Sequence, residues 1–208
     1  MARRLLPIID FAHGSEVAGK QSPDGKHKEY LWSRKVGKAL AERLKQEGFE
    51  VAFTNTGDTE IGLSRRKAIA DKLDTPLGGA KFLISLHNNA AGIGTEWSLA
   101  RGFEIYTSKG QTRSDLFATV IFEQLQKDFP TTDGYKHRTD GSDGDLDKEA
   151  NFTVLMGNTY WAVLLEWLFQ DNLEDVELLM NDEVNTKLVE SLTKSLVYID
   201  DNLDNLKM

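Results

Sequence analysis

The sequence predicts an α/β fold in which a mainly parallel, twisted sheet of about six strands carries helices on both faces. Along the 208 residues, short apolar runs of strand length alternate with longer segments whose apolar residues recur every three or four positions. This alternation favours a parallel sheet, because the connection between two parallel strands usually contains a helix. Neither an internal repeat nor a long linker interrupts it, so we expect one domain over residues 1–208.

The first half of the chain alternates three predicted strands with two predicted helices. In order these are the strand 5–11, the helix from 29 to about 46, the strand 49–54, the helix 65–73 and the strand 81–87. Glu47 and Gly48 supply the end of the first helix, since glycine is common just past a helix. Ser64 is a plausible cap for the second helix, because a serine oxygen can accept a hydrogen bond from a free backbone N–H.

The second half predicts three more strands and two more helices. In order these are the strand 102–107, a helix through Leu116 and Leu125 to Asp128, the strands 152–156 and 161–165, and a helical tail over 174–203. Pro130 supports the helix end at Asp128, because proline cannot continue a helix. Residues 131–151 are polar and acidic, and no element is predicted there.

The composition excludes several classes of protein. A net charge of −8 argues against nucleic-acid binding and offers no general attraction to an anionic membrane. The absence of cysteine removes disulfides, thiol nucleophiles and cysteine-based zinc sites. The apolar run at the start is too short for a signal peptide, and no stretch approaches the ~18 apolar residues of a membrane span. We expect a soluble monomer, made in the cytoplasm, without nucleic-acid or membrane partners.

Two histidines and two glutamates lie beside the apolar runs. His13 and His87 end predicted strands, Glu166 ends another, and Glu29 begins the first helix. In an open α/β sheet, strand ends and helix starts converge on one crevice. Catalytic zinc takes three ligands from histidine and carboxylate, and a separate carboxylate can accept a proton from its bound water. The four residues could supply this set, although their spacing matches no local signature such as His-Glu-x-x-His.

Six blocks, in order, extend from Asp10 to the final helix. They are residues 10–15 (DFAHGS), Glu29 at a helix start, 63–71 (LSRRKAIAD), 82–90 (FLISLHNNA), 102–106 (GFEIY) and 162–172 (AVLLEWLFQDN). They resemble the motifs Asp-x-Gly-His-Gly-Gly, the helix-starting glutamate, Leu-Ser-x-Arg-x-x-x-Ala-Asn, Phe-Ile-Ser-Ile-His-x-Asn-Ala, Gly-x-Glu-x-Tyr and Val-Leu-Val-Glu-x-Gly-Phe-Leu-Ser-Asn of the zinc-dependent N-acetylmuramoyl-L-alanine amidases (type 3).

The resemblance implies a catalytic amidase domain with one Zn²⁺ per chain. His13, Glu29 and His87 would be the zinc ligands, and Glu166 the catalytic carboxylate. The implied reaction is hydrolysis of the amide between N-acetylmuramic acid and L-alanine in bacterial peptidoglycan. Ala12 and Ser15 stand where the motif has glycine, and these replacements affect loop shape and substrate fit more than the chemistry.

Two further residues are assigned secondary roles. Asn89 would orient His87 or contact substrate. Arg66 would form an intramolecular ion pair and only secondarily touch substrate. Because we find neither a signal peptide nor a separate wall-binding domain, we expect an enzyme similar to phage endolysins that acts on the cell wall, in the periplasm or outside the cell.

Two other functions stay open. One is a peptidoglycan-binding homologue that has lost catalysis, and the other is a zinc peptidase that cuts within the stem peptide. The long segment 128–151 is where we would look for a helix or loop that occludes the cleft.

Several other residues invite a functional interpretation but favour a structural one. We expect His27 to be solvated, with substrate contact as the alternative, and His137 to be a surface or satisfied residue. We expect Glu104 to be a structural carboxylate with hydrogen-bond partners. The aspartate-rich segment 140–147 lacks the glycine and glutamate of a calcium-binding loop, which favours a solvated loop. Trp97 is the tryptophan expected to be exposed near the cleft.

Overall fold

The computed structural model describes residues 3–93, 95–142 and 144–206. Its helices and strands are, in chain order, β1 (Leu5–Phe11), α1 (Glu29–Gln46), β2 (Ala52–Phe53), α2 (Leu63–Lys72), β3 (Ala80–Asn89), β4 (Glu104–Thr107), α3 (Arg113–Asp128), β5 (Lys148–Glu149), β6 (Trp161–Phe169), α4 (Leu173–Leu179) and α5 (Asp182–Asp201). Two short 3₁₀ turns lie at Thr131–Asp133 and Thr153–Leu155.

One six-stranded sheet in the order β2-β1-β3-β6-β4-β5 forms the centre of the molecule. β1 is parallel to β2 and β3, and β3 is parallel to β6. β4 runs antiparallel to β6, and β5 runs parallel to β4. The predicted α/β fold with a mainly parallel sheet of about six strands is therefore confirmed.

Helices cover both faces of the sheet, but unequally. The larger core lies between one face and α1, α3, α4 and α5, and the smaller core packs α2 and the turn Thr153–Leu155 on the other face. Successive residues of a strand point to opposite faces, so Ile8 and Leu83 join the smaller core while Ile9 and Ile84 join the larger one. Because both faces are buried, the central strands are continuously apolar, as parallel sheets require.

Helix α1 shows how the larger core is built. Trp32, Val36, Leu40 and Leu44 recur at every fourth position and are all buried. Burial of each such side chain stabilises the fold by about 1.5–3 kcal/mol relative to exposure. The apolar face of α1 therefore fixes the orientation of the helix on the sheet, and with it the position of Glu29 in its first turn.

Several predicted elements differ from the observed ones. Residues 152–156 are not a strand but contain a 3₁₀ turn, and the remaining strand is instead the short β5. Val154 and Leu155 are apolar because they pack against α2, and a short apolar run alone cannot distinguish a strand from another buried segment. Ser64 lies inside α2, whose N-cap is Gly62, so the predicted cap is wrong. The helical tail divides into α4 and α5, where Asn181 caps α5.

Within the described ranges, no helix has the length and apolar character that crossing a membrane requires.

Candidate metal centre and active site

Two side chains of α1 hold the turn that carries His13. His13 follows β1 with a φ of 46°, a conformation that residues other than glycine seldom adopt. Arg34 donates hydrogen bonds to the carbonyls of Ala12 and His13 at 3.1 and 2.9 Å. The Ser33 hydroxyl accepts from the Ala12 N–H at 2.9 Å and donates to the Leu86 carbonyl at 2.8 Å. Helix α1 thus joins the ends of β1 and β3, beside the two histidines.

A glycine brings α1 close enough to the sheet for this to happen. A Cβ atom at Gly37 would lie 2.5 Å from Cε1 of Phe11 and 2.9 Å from Cγ2 of Ile9, which is closer than side chains can pack. Any larger residue at position 37 would push α1 away from β1. Glu29, at the start of the same helix, would move with it.

His13, Glu29 and His87 bring three ligand atoms to one point. Oε1 of Glu29 lies 3.4 Å from Nε2 of His13 and 3.0 Å from Nδ1 of His87. The two imidazole rings are 5.1 Å apart and nearly perpendicular. Tetrahedral zinc with bonds of 2.0–2.1 Å separates its ligands by about 3.3 Å. The predicted three-residue group is therefore assembled, with donors and spacing that suit zinc.

Glu29 is the centre of a buried hydrogen-bond network. Oε1 also accepts from the Asn88 N–H at 3.1 Å, and Oε2 accepts from the Gln170 amide at 3.2 Å. Burial acts to raise the pKa of Glu29, but hydrogen bonds to His13 and His87 lower it by more, so the pKa lies well below its usual value. Glu29 is therefore a fixed carboxylate anion, the form in which it can bind a cation.

Glu166 lies directly across the sheet from one member of this group. In the parallel pairing of β3 with β6, His87 is opposite Glu166, and on the other side Glu104 of β4 is opposite Glu166 as well. Among the described residues, Oε2 of Glu166 has no hydrogen-bond partner although it is buried. Burial, together with the negative charges of Glu29 and Glu104, outweighs the effect of His87 and raises the pKa of Glu166 to about 7. The carboxyl group can therefore take up and release a proton near neutral pH.

A cleft of about 320 Å³ opens over His13, His87 and Glu166. Its remaining walls come from the loop after β1, the start of α2, β6 and the segment before it, through Lys20, Leu63, Leu164 and residues 151–154. Phe152 exposes 41% of its surface there, which is unusual for a large aromatic side chain. The cleft therefore joins the polar group to an apolar wall.

The two residues assigned secondary roles both have internal partners. Asn89 donates to Oε1 of Glu104 at 2.7 Å. Arg66 is only 1% exposed and pairs with Asp10 at 3.3 Å and with Glu60. The predicted ion pair of Arg66 is confirmed, while substrate contact by either residue stays a prediction.

Three further residues from the sequence analysis have the surroundings expected of them. Glu104 is a structural carboxylate, as expected, since it accepts from Arg138 at 2.7 Å and from Lys148 at 2.6 Å. His137 is satisfied by the Phe129 carbonyl at 2.7 Å. Trp97 is 39% exposed.

One expectation of solvation is wrong, and another holds for most but not all of its segment. His27 is only 4% exposed, because the loop folds back through the pairing of Gln21 with Lys28 and places Nε2 of His27 2.8 Å from Oδ1 of Asn88. The segment 140–147 is not simply solvated either, because Asp147 is 1% exposed. Asp143, which belonged to the calcium interpretation, lies outside the described residues.

Asn88 and Gln170 are the residues that the sequence interpretation missed. Asn88 uses its backbone to bind Glu29, and its side-chain amide donates to the Trp167 carbonyl at 2.8 Å. Gln170 reaches Glu29 from the end of β6. The sequence signal for Asn88 is the pair Asn88-Asn89 directly after His87, and the sequence analysis gives the role of orienting His87 to Asn89 instead.

Comparison with known proteins decides the family. Residues 8–198 match the family described as N-acetylmuramoyl-L-alanine amidase. The chain belongs to this amidase family. The match includes all four residues of the candidate site, His13, Glu29, His87 and Glu166.

Two curated relatives agree with the amidase family. The chain is 28% identical to the probable cell wall amidase LytH of Staphylococcus epidermidis over 88% of its own length and 54% of that protein. It is 27% identical to the endolysin of Bacillus phage SPP1 over 93% of its own length and 65% of that protein. The chain therefore spans about half the length of the staphylococcal relative.

The solved structures agree in fold. The N-acetylmuramoyl-L-alanine amidase from Clostridium difficile 630 superposes with a TM-score of 0.76 at 22% identity, over 96% of this chain and 98% of that one. At this identity the likeness establishes a shared fold alone.

Proposed function

We propose that this chain is a zinc-dependent amidase that hydrolyses the bond between N-acetylmuramic acid and L-alanine in peptidoglycan. The observation that carries the proposal is the convergence of His13, Glu29 and His87 on one point, with Glu166 facing His87 across the sheet. Membership of the amidase family supports the substrate, and the relatives called cell wall amidase and endolysin support the cell wall as the place of action.

His13, Glu29 and His87 fit a catalytic zinc site by their donor chemistry. Two imidazole nitrogens and one carboxylate oxygen are ligands that zinc prefers, and three protein ligands leave a position for water. When bound, zinc would lower the pKa of that water to about 7 and polarise the scissile carbonyl. Ser33, Arg34, Asn88 and Gln170 would hold the ligands in position, since partners of this kind fix ligand geometry.

Glu166 is the group proposed to move the proton. With a pKa near 7, its carboxylate can accept a proton from the attacking water and, as the carboxylic acid, return it to the departing L-alanine amine. Oε2 has no protein partner among the described residues, so it is available for this exchange. Tyr106 and Asn89 bind Glu104 rather than Glu166, which leaves Glu166 unpaired beside the cleft.

The cleft is proposed to bind the muramyl-peptide. Phe152 offers an apolar surface, and Lys20 offers a positive charge to a substrate that carries carboxylates. We propose that the described residues together form the catalytic domain, because a single sheet and its two cores include every element. The monomeric state and the absence of nucleic-acid and membrane partners remain predictions.

Mass analysis of digested peptidoglycan tests this function. An amidase releases peptides with a free L-alanine amino terminus and leaves the glycan chain whole. Cleavage within the stem peptide would establish the alternative of a zinc peptidase. Binding to the wall without any released product would establish a homologue without catalysis.

A further inference from the structure

Three aspartates meet in a second place, where α3 begins and the segment before β5 passes. Asp115 lies in the first turn of α3, and Asp145 and Asp147 come just before β5. One carboxylate oxygen from each lies within 4.8 Å of one from each of the others. Asp115 is 4% exposed and Asp147 is 1% exposed, while Asp145 is half-buried, so two of the three carboxylates lie inside the molecule and the third lies at its edge.

Each of the three carboxylates has one oxygen that nothing satisfies. Asp147 uses Oδ2 to accept from the Thr107 hydroxyl at 2.6 Å, and Asp115 uses Oδ2 to accept from the Thr112 N–H. Within the described part of the chain, Oδ1 of Asp115, of Asp145 and of Asp147 is buried without a hydrogen-bond partner. Buried polar atoms are nearly always satisfied, so three unsatisfied oxygens in one group call for a ligand.

Among the described residues, no basic side chain forms an ion pair with the group. Arg138 and Lys148, which flank it in sequence, both pair with Glu104 instead. Burial raises the pKa of Asp147 to about 8 against the effect of the Thr107 hydrogen bond, and the charges of Asp145 and Asp115 and a hydrogen bond with the Asp145 side chain act in the same direction as burial. Three carboxylates are therefore held together without the positive charge that burial of such groups requires.

We propose that Asp115, Asp145 and Asp147 bind a hard divalent cation, with Ca²⁺ preferred over Mg²⁺. All three candidate ligands are carboxylates, which suit a hard cation, whereas zinc prefers sites with nitrogen ligands such as the His13–Glu29–His87 group. Ca²⁺ bonds oxygen at 2.3–2.6 Å, so two of its ligands can lie up to about 5 Å apart. Three carboxylates on a helix and a loop suit this adaptable coordination better than that of Mg²⁺, which usually keeps several waters and takes one or two carboxylates.

The bound cation would order one wall of the cleft. The loop that holds Asp145 and Asp147 continues into β5 and then into residues 151–154, which line the cleft. A cation would tie this segment to the first turn of α3. The predicted result is a cleft whose wall is stabilised by the cation, at a place separate from the reacting groups.

Calorimetric titration of the full chain with CaCl₂ tests the site. The protein first receives one equivalent of Zn²⁺, so that the His13–Glu29–His87 group is filled. We expect one binding event and a rise in the midpoint of thermal unfolding, Tm, of about 5–10 °C at a hundredfold excess over the Kd. MgCl₂ is titrated in parallel, and binding as tight as that of Ca²⁺ would overturn the stated preference.

Asp145→Asn is the decisive variant because Asp145 is the least buried of the three. It should weaken Ca²⁺ binding at least tenfold and remove the Tm rise. In the absence of Ca²⁺, its Tm should equal or exceed that of the wild type, because one of three repelling charges is gone. Asp147→Asn should lose the response as well. Asp133→Asn, which makes the same charge change on an exposed turn, should leave Ca²⁺ binding unchanged.

Hydrogen exchange supplies a second readout. Ca²⁺ should slow exchange in residues 140–155 in the wild type and not in Asp145→Asn. Absence of binding to the wild type at millimolar Ca²⁺, or equal binding by Asp145→Asn, would overturn the proposal. The test compares Ca²⁺ binding by the wild type and by Asp145→Asn. A negative result would leave the proposed amidase activity standing, and absence of amidase activity would leave the proposed Ca²⁺ site standing.

Discussion

Glutamine in place of Glu166 keeps the shape of the side chain but removes its charge and its ability to carry the proton. If Glu166 acts as the general base and acid, kcat should fall about 10²–10⁴-fold, the usual contribution of such a group. That loss corresponds to about 3–5 kcal/mol in the activation barrier. Bound zinc should remain at one per chain, because His13, Glu29 and His87 are untouched.

The same substitution should increase the stability of the metal-free protein. The pKa of Glu166 is raised from 4.5 to about 7, mainly by burial, so the folded state disfavours the carboxylate anion. At pH 7 this amounts to a destabilisation of about 3 kcal/mol. Glutamine removes that penalty but leaves its own amide to be satisfied, so we expect a Tm several degrees higher.

The assay therefore has two readouts, kcat on purified peptidoglycan and Tm after metal removal. Glu104→Gln is the matched control, because Glu104 lies opposite Glu166 in the sheet but pairs with Arg138 and Lys148. Its Tm should fall, since glutamine breaks both ion pairs, and its kcat should fall much less. A Glu166→Gln enzyme with kcat within tenfold of the wild type would refute the role of Glu166 as base.

Further predictions concern the metal, the turn at His13 and pH. A chelator should abolish amidase activity and Zn²⁺ should restore it; activity that survives verified metal removal would contradict the zinc mechanism. Arg34→Met should lower zinc affinity about 10–100-fold, because the Ala12 and His13 carbonyls lose their donors. Zinc titration checks this against Arg65→Met, an exposed arginine of α2 that should bind normally. In metal-free protein, the stability advantage of Glu166→Gln should grow as pH rises from 4.5 to about 7. Over this range Glu166 ionises in the unfolded state but stays protonated in the folded state, so the wild type loses stability while the glutamine variant does not. Denaturant unfolding at several pH values measures it, and an advantage that stayed constant over this range would contradict the raised pKa.

The sequence predicts the alternation of strands and helices well because burial on both sheet faces leaves long apolar runs. It also predicts which side chains meet, since His13 follows β1, His87 lies near the end of the parallel strand β3 and Glu29 begins α1. It fails where an apolar residue is buried outside regular structure, as at Val154 and Leu155. The apolar side chains of these residues indicate burial, but they do not indicate the backbone conformation.

The supporting residues of the site are less predictable for a different reason. Asn88 binds Glu29 through its backbone N–H, which every non-proline residue possesses, so no side-chain pattern marks it. Gln170 reaches Glu29 only because β6 lies beside β3, and paired residues such as His87 and Glu166 are 79 positions apart in sequence. His27 was misjudged because its polar neighbours suggested solvent, whereas the fold of the loop buries it.

The ladder between β3 and β6 has a consequence for how such a scaffold can diversify. His87 and Glu166 are held opposite each other by backbone hydrogen bonds in the middle of the sheet. A slip of one position before this pair would turn the following side chains to the other face, so the register up to His87 and Glu166 is fixed. The register shift of this ladder, between His87 and Asn89, comes only after the pair. The loop 14–27 and the segment 150–160, which supply Lys20 and residues 151–154 to the cleft, lie outside this ladder. New substrates can therefore be accommodated by changing loop length while the reacting atoms stay in register.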